Sequence, residues 1–185
     1  MRRIGQVAEH CRAAVSPIAV RTGQIPEVAG IVKLSHINLV ARDADTLAAF
    51  YVNIFKREFL REPRTLSGEK VSRGNGLANS EIYSIWLRFP GCDAPFLEIH
   101  QHKVTHDREL PRVNEPGFGH LSFQMEDIGA VLSAIVDAGG APVGKITNLG
   151  SADKPISIVY ARDPEGNILE LEQSRPVPSP FPAAM

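Results

Sequence analysis

The chain has 185 residues, 43% of them hydrophobic and 22% charged, with a formal net charge of −1. That balance fits a soluble globular protein of one domain, or of two small halves sharing a core. It excludes a nucleic-acid footprint, because lysines and arginines do not cluster, and a bilayer span, because no apolar run approaches roughly 20 residues.

The N-terminal residues 1–31 read as an extension with a weak helical pattern. The opening "MRRIGQVAEHCRAAVSPIAV" carries the arginines of a targeting signal. Glu9, His10 and Arg12 break its apolar residues, so a secretory signal is not expected. Two cysteines, Cys11 and Cys92, are too few for a disulfide framework and fit a reducing, cytoplasmic setting.

The organised part runs over 32–175. In "SHINLVARDADTLAAFYVNIF", His36 opens a short alternating strand, Asp43 suits a helix start, and Leu47, Phe50, Tyr51 and Ile54 form an apolar stripe. Strands are predicted near 58–62, 81–89 and 95–101, with Trp86 and Phe89 packing in the core and an aromatic lining for substrate as the alternative. A polar connector follows, with His102 and His106 assigned to the surface; its length also suits a lid or an inter-subunit arm.

The pattern then repeats. In "GHLSFQMEDIGAVLSAIVDAG", His120 opens a strand, Asp127 precedes a helix, and Ile128, Val131, Leu132 and Ile135 form its stripe. Gly139-Gly140 is a helix stop. Strands are predicted near 142–146, 155–162 and 167–173, the last two joined by the turn "DPEGN". The tail 176–185 is rich in proline and continues neither a helix nor a central strand. The chain is thus an internal duplication, an α+β fold of two βαβββ modules, about 32–102 and 117–175.

Duplication pairs His36 with His120 and Glu98 with Glu170, the glutamates each standing third in "FLEIHQ" and "ILELEQ". Alternation puts Glu170 on the face of Ile168 and Glu172, and Glu98 on the face of Phe96 and His100. A lone strand histidine or glutamate is more often structural or turned to solvent. Four polar exceptions at equivalent places suggest one shared purpose, a divalent metal ion. Neutral imidazole and carboxylate suit Zn, Ni, Fe, Co or Mn, and four ligands leave two positions of an octahedron for water or substrate. A cation also relieves the repulsion between two neighbouring carboxylates. His100 is either a polar strand-end residue or a proton-shuttling neighbour of the site.

"SHINLVARDADTLAAFYVNIF", "FLEIH", "GFGHLSFQMEDI" and "DPEGNILELEQ" resemble the vicinal oxygen chelate superfamily, which includes glyoxalase I, methylmalonyl-CoA epimerase, extradiol dioxygenases, fosfomycin-resistance enzymes and bleomycin-binding proteins. The resemblance implies a curved mixed eight-stranded sheet around a divalent ion held by His36, Glu98, His120 and Glu170. It implies an isomerase or lyase that moves a proton through a metal-held enediolate on a small oxygenated molecule, with Glu170 the first candidate base and Glu98 the second. It also implies a homodimer. An extradiol-type dioxygenase with Glu98 uncoordinated, and a metal-free binding protein of the bleomycin-resistance type, are the alternatives. The ligand pattern is that of glyoxalase I, but the residues expected to grip glutathione are absent: their positions hold Val40 and His102. The second carboxylate of the epimerase pattern also lacks a counterpart, since Glu81 falls at the very start of its strand.

Overall fold

The structure is a computed structural model in which residues 30–174 are described. The expected extension up to residue 29, Cys11 with it, residue 175 and the whole tail 176–185 lie outside the described residues. The chain divides into two units, 1–33 and 34–185; every described element belongs to the second.

The first module runs β1 (His36–Val40), α1 (Ala44–Phe55), β2 (Glu58–Phe59), β3 (Arg64–Ser67), α2 (Glu69–Asn75), β4 (Glu81–Phe89) and β5 (Cys92–His102). The second runs β6 (Leu121–Gln124), α3 (Ile128–Asp137), β7 (Ala141–Pro142), β8 (Thr147–Asn148), β9 (Ile156–Arg162) and β10 (Ile168–Ser174). The tandem arrangement read from the sequence is present.

The strand count differs from expectation. In place of one eight-stranded sheet there are two of five strands, ordered β1-β5-β4-β2 with β3 on β4, and β6-β10-β9-β7 with β8 on β9. In each module the predicted second strand is shorter than expected (β2 and β7), and a further short strand that was not predicted (β3 and β8) pairs with the same neighbour. Pro63 lies just before β3 and Pro142 is the last residue of β7, positions at which the chain can offer no amide to the ladder. The short α2 buries no side chain, so it left no apolar stripe to read. Topology repeats between modules: β1 pairs in parallel with β5, and β6 in parallel with β10.

Both main helices begin as their sequences dictate. Asp43 Oδ1 accepts from the Thr46 amide at 2.9 Å, and Asp127 Oδ1 from the Ala130 amide at 2.9 Å. A second device was not anticipated. Gln101 Oε1 accepts from the Ala44 amide and Gln173 Oε1 from the Ile128 amide, each at 3.0 Å. Each closing strand therefore caps its own module's helix with the glutamine that ends "FLEIHQ" or "ILELEQ". Asp127→Ala is expected to cost about 1 kcal/mol of unfolding free energy in urea titrations, the usual worth of an N-cap. Gly140 follows α3 where only glycine fits, since a Cβ there would meet the Arg162 carbonyl oxygen at 2.3 Å.

Leu47, Phe50 and Tyr51 of α1 join Ile128 and Ile135 of α3 in one core with Leu97, Ile99, Leu169 and Leu171. These strand residues alternate with Glu98 and Glu170, so each sheet turns its apolar face to the shared core and the other face carries the polar residues. The modules are locked together through α1. Phe55 stacks on Phe123 of β6 at 4.1 Å between ring centroids, and the buried Tyr51 hydroxyl donates to Asp163 at 3.0 Å.

Candidate functional site

On each polar face the same four-part constellation appears. In the first module His36 Nε2 lies 3.4 Å from Glu98 Oε2. Two residues after the histidine, Asn38 Nδ2 donates to the same oxygen at 3.2 Å. Directly across the ladder from Glu98 stands Trp86, whose indole nitrogen donates to Glu98 Oε1 at 2.7 Å. In the second module His120 Nε2 lies 3.8 Å from Glu170 Oε2. Two residues on, the Ser122 hydroxyl donates to Glu170 Oε1 at 3.1 Å. Tyr160 stands opposite Glu170 and bonds to it, which raises the phenol's pKa. The common plan is a histidine, a donor two residues later, a glutamate on the neighbouring strand, and an aromatic donor one strand further.

The two carboxylates sit in different company. Glu98 is buried, with its side chain 9% exposed, against 18% for Glu170. Burial opposes its ionisation, yet the His100 imidazole, the Trp86 indole and the His36 ring together outweigh that and bring its pKa down to about 2. His100 Nε2 lies 3.0 Å from Glu98 Oε1. His100 thus adjoins Glu98 on the polar face of β5.

Trp86 is a correction to the core assignment: its ring is partly exposed on the polar face and bonded to a candidate ligand. No periodicity could separate it from its buried neighbours Ile85 and Leu87. The signal was its place opposite Glu98 in the hairpin. His102 also differs from expectation, since it ends β5, half-buried, while His106 is exposed in the connector as read. The connector is fastened across the β9–β10 turn. Arg108 donates to Asn167 at 2.7 Å, and the Pro111 carbonyl accepts from Arg162 at 2.7 Å.

β1 and β6 are both edge strands, and they border one cleft of about 710 Å³ whose lining includes His36 and His120. Both histidines line this cleft, and Glu98 and Glu170 lie beside their Nε2 atoms. Among the described residues no group of three or more His, Cys, Asp or Glu side chains is gathered closely enough to hold an ion. In kind the donors suit a borderline divalent cation. In number each module brings two, so His36, Glu98, His120 and Glu170 would hold a cation only by acting together.

The family model described as Glyoxalase/Bleomycin resistance protein/Dioxygenase superfamily matches residues 33–171. The chain belongs to that superfamily. Solved members share its fold at low sequence identity. A glyoxalase family protein from Bacillus cereus is 18% identical with a TM-score of 0.70, over 80% of this chain and 97% of that one. Glyoxalase I from Zea mays is 19% identical with a TM-score of 0.55, over 79% of this chain and 46% of that one. The fosfomycin resistance protein FosX from Listeria monocytogenes is 19% identical with a TM-score of 0.50, over 79% and 96%. No curated protein matches the chain significantly by sequence. Among the described residues no helix is long and apolar enough to cross a membrane.

Proposed function

We propose that this superfamily member is a divalent-metal-dependent isomerase or lyase, transferring a proton next to a carbonyl of a small oxygenated substrate. The observation that carries the reading is the placing of His36 and His120 on one cleft, each with a glutamate carboxylate beside its Nε2. His36, Glu98, His120 and Glu170 are the residues that would hold the cation. When bound, it would supply a Lewis acid that polarises the carbonyl and acidifies the neighbouring C–H.

The chain's own groups divide the remaining work. Asn38 and Trp86 fix both oxygens of Glu98, so this carboxylate serves as an anchored anion. Glu170 accepts from Ser122 at Oε1 and also from the Tyr160 hydroxyl, with His120 Nε2 3.8 Å from Oε2, and its side chain is 18% exposed against 9% for Glu98. This more accessible carboxylate is the base: it takes the proton from carbon and returns it to the same or the adjacent carbon.

The test is exchange at carbon. Metal-loaded protein in D2O, given 2-hydroxy ketones, 2-oxo acids or thioesters, should place deuterium next to the carbonyl of one of them, as read by NMR. Oxygen uptake with catechols and no such exchange would move the assignment to a dioxygenase. The proposal includes a homodimer. Leu34, Val40 and Phe118 line the same cleft and are 64%, 49% and fully exposed, apolar area of the kind a second copy covers. Sedimentation equilibrium should give twice the chain mass; a monomer at micromolar concentration would oppose the dimer.

A further inference from the structure

We propose that Arg61, seated on Trp86 with Arg64 beside it, receives a carboxylate group of the substrate on the polar face of the first module. This deepens the reading above by naming the substrate class, an acid, and rests on that reading only for the word substrate.

Three observations converge on the spot. First, the Arg61 guanidinium carbon lies 3.1 Å from the centre of the Trp86 ring, a cation–π contact that holds the guanidinium in place over the ring. Second, Arg61 Nε and one terminal NH2 are buried with no hydrogen-bond partner. Those two nitrogens form the edge with which a guanidinium grips a carboxylate through two parallel bonds. Arg88 shows the alternative fate of the same edge, its Nε and NH2 both donating to Glu58 at 3.0 and 2.8 Å. Leaving such donors unmatched costs free energy that an incoming acceptor recovers.

Third, a second cation borders the same ring. Arg64 lies 5.8 Å from the same ring and stands opposite Ser84 in the β3–β4 ladder, on the face where Ser84 points toward Glu98. Burial and the nearby Arg64 charge push the Arg61 pKa down, against the opposing pull of the Glu98 charge. Two guanidinium groups crowded over one indole repel each other, and an anion between them reverses the sign of that interaction.

The position suits a substrate that also reaches the candidate ligands. A continuous stack leads from Arg61 to Trp86, from Trp86 to Phe96 at 4.2 Å, and from Phe96 to His36 at 5.1 Å. An acid anchored at Arg61 would lie along this stack with its other oxygens toward His36 and Glu98.

Trp86 is the only tryptophan of the chain, so its fluorescence reports the site directly and without turnover. The full chain, kept in chelator so that no cation contributes, is titrated with succinate, with inorganic phosphate, and with chloride at matched ionic strength. Succinate should give a saturable change in emission that chloride does not. Arg61→Gln should weaken the succinate dissociation constant about tenfold or more, the scale of a charge-assisted pair. Arg61→Lys should weaken it several-fold, since an ammonium lacks the fork, and Arg64→Gln several-fold by loss of charge. The proposal is overturned if succinate behaves as chloride does, if phosphate saturates where succinate does not, or if Arg61→Gln binds unchanged. Should Arg61→Gln fail to fold, unchanged binding in Arg64→Gln overturns it equally. Because chelator is present, loss of the metal reading leaves this result intact, and the reverse holds too.

Discussion

Replacing Glu170 by glutamine is expected to reduce turnover by about 10²–10⁴-fold, the range that a positioned general base contributes, while cation affinity falls far less. The amide can still offer an oxygen as a ligand but cannot take up a proton. Glu98→Gln should behave differently. Its carboxylate receives hydrogen bonds from Asn38 at 3.2 Å and Trp86 at 2.7 Å and lies 3.0 Å from His100, so it is held rather than free to move. Removing its charge should weaken cation binding first, with turnover following. Single-turnover rates beside calorimetric cation affinities separate the two cases. Equal loss of affinity in both variants would remove the distinction between base and anchor.

The second large effect concerns stability, at a residue no functional reading selects. Asp163 is 2% exposed and gathers four hydrogen bonds. They come from the Tyr51 hydroxyl at 3.0 Å, the Glu165 and Asn167 amides at 3.0 and 2.9 Å, and the Asn167 side chain at 2.8 Å. It therefore closes the turn between the last two strands and joins the second module to the core of the first. Asp163→Ala leaves the fully buried Tyr51 hydroxyl and the turn amides without an acceptor. The expected cost is about 3 kcal/mol, as for other buried groups that lose a charged partner, and a melting temperature lower by about 6–12 °C for a chain of this size.

Burial, the largest influence, raises the Asp163 pKa against those hydrogen bonds. A carboxyl whose folded pKa lies above its unfolded value stabilises the fold fully below the unfolded pKa, and that contribution is lost as pH rises through the folded one. Asp163→Asn should flatten this part of the pH profile in urea titrations; an unchanged slope would assign it to other groups.

The sequence disclosed most of what the backbone does, and for a plain reason. Asp43 and Asp127 precede apolar stripes of helical period, and the histidines and glutamates recur at matched offsets, so order along the chain carried the information. What it withheld depends on contacts across strands. Trp86 reads as one more core aromatic until its register places it opposite Glu98. Tyr160 is hidden in the same way within "PISIVYAR". Gln101 and Gln173 sat in plain view in the two repeated hexapeptides, but their role as caps needs the distance between a strand end and a helix start. The short strands β3 and β8 escaped because four- and two-residue runs carry too little pattern to read. Arg61 escaped because nothing local marks a cation whose partner is a ring 25 positions away.

Two half-sites, each an imidazole with its acid, are claimed to share a single guest. The most direct measurement is calorimetric titration of the metal-stripped full chain with Zn2+. One cation should bind per chain, and either His36→Ala or His120→Ala alone should abolish binding. No binding at all, or binding that survives the loss of one histidine, would contradict the shared site.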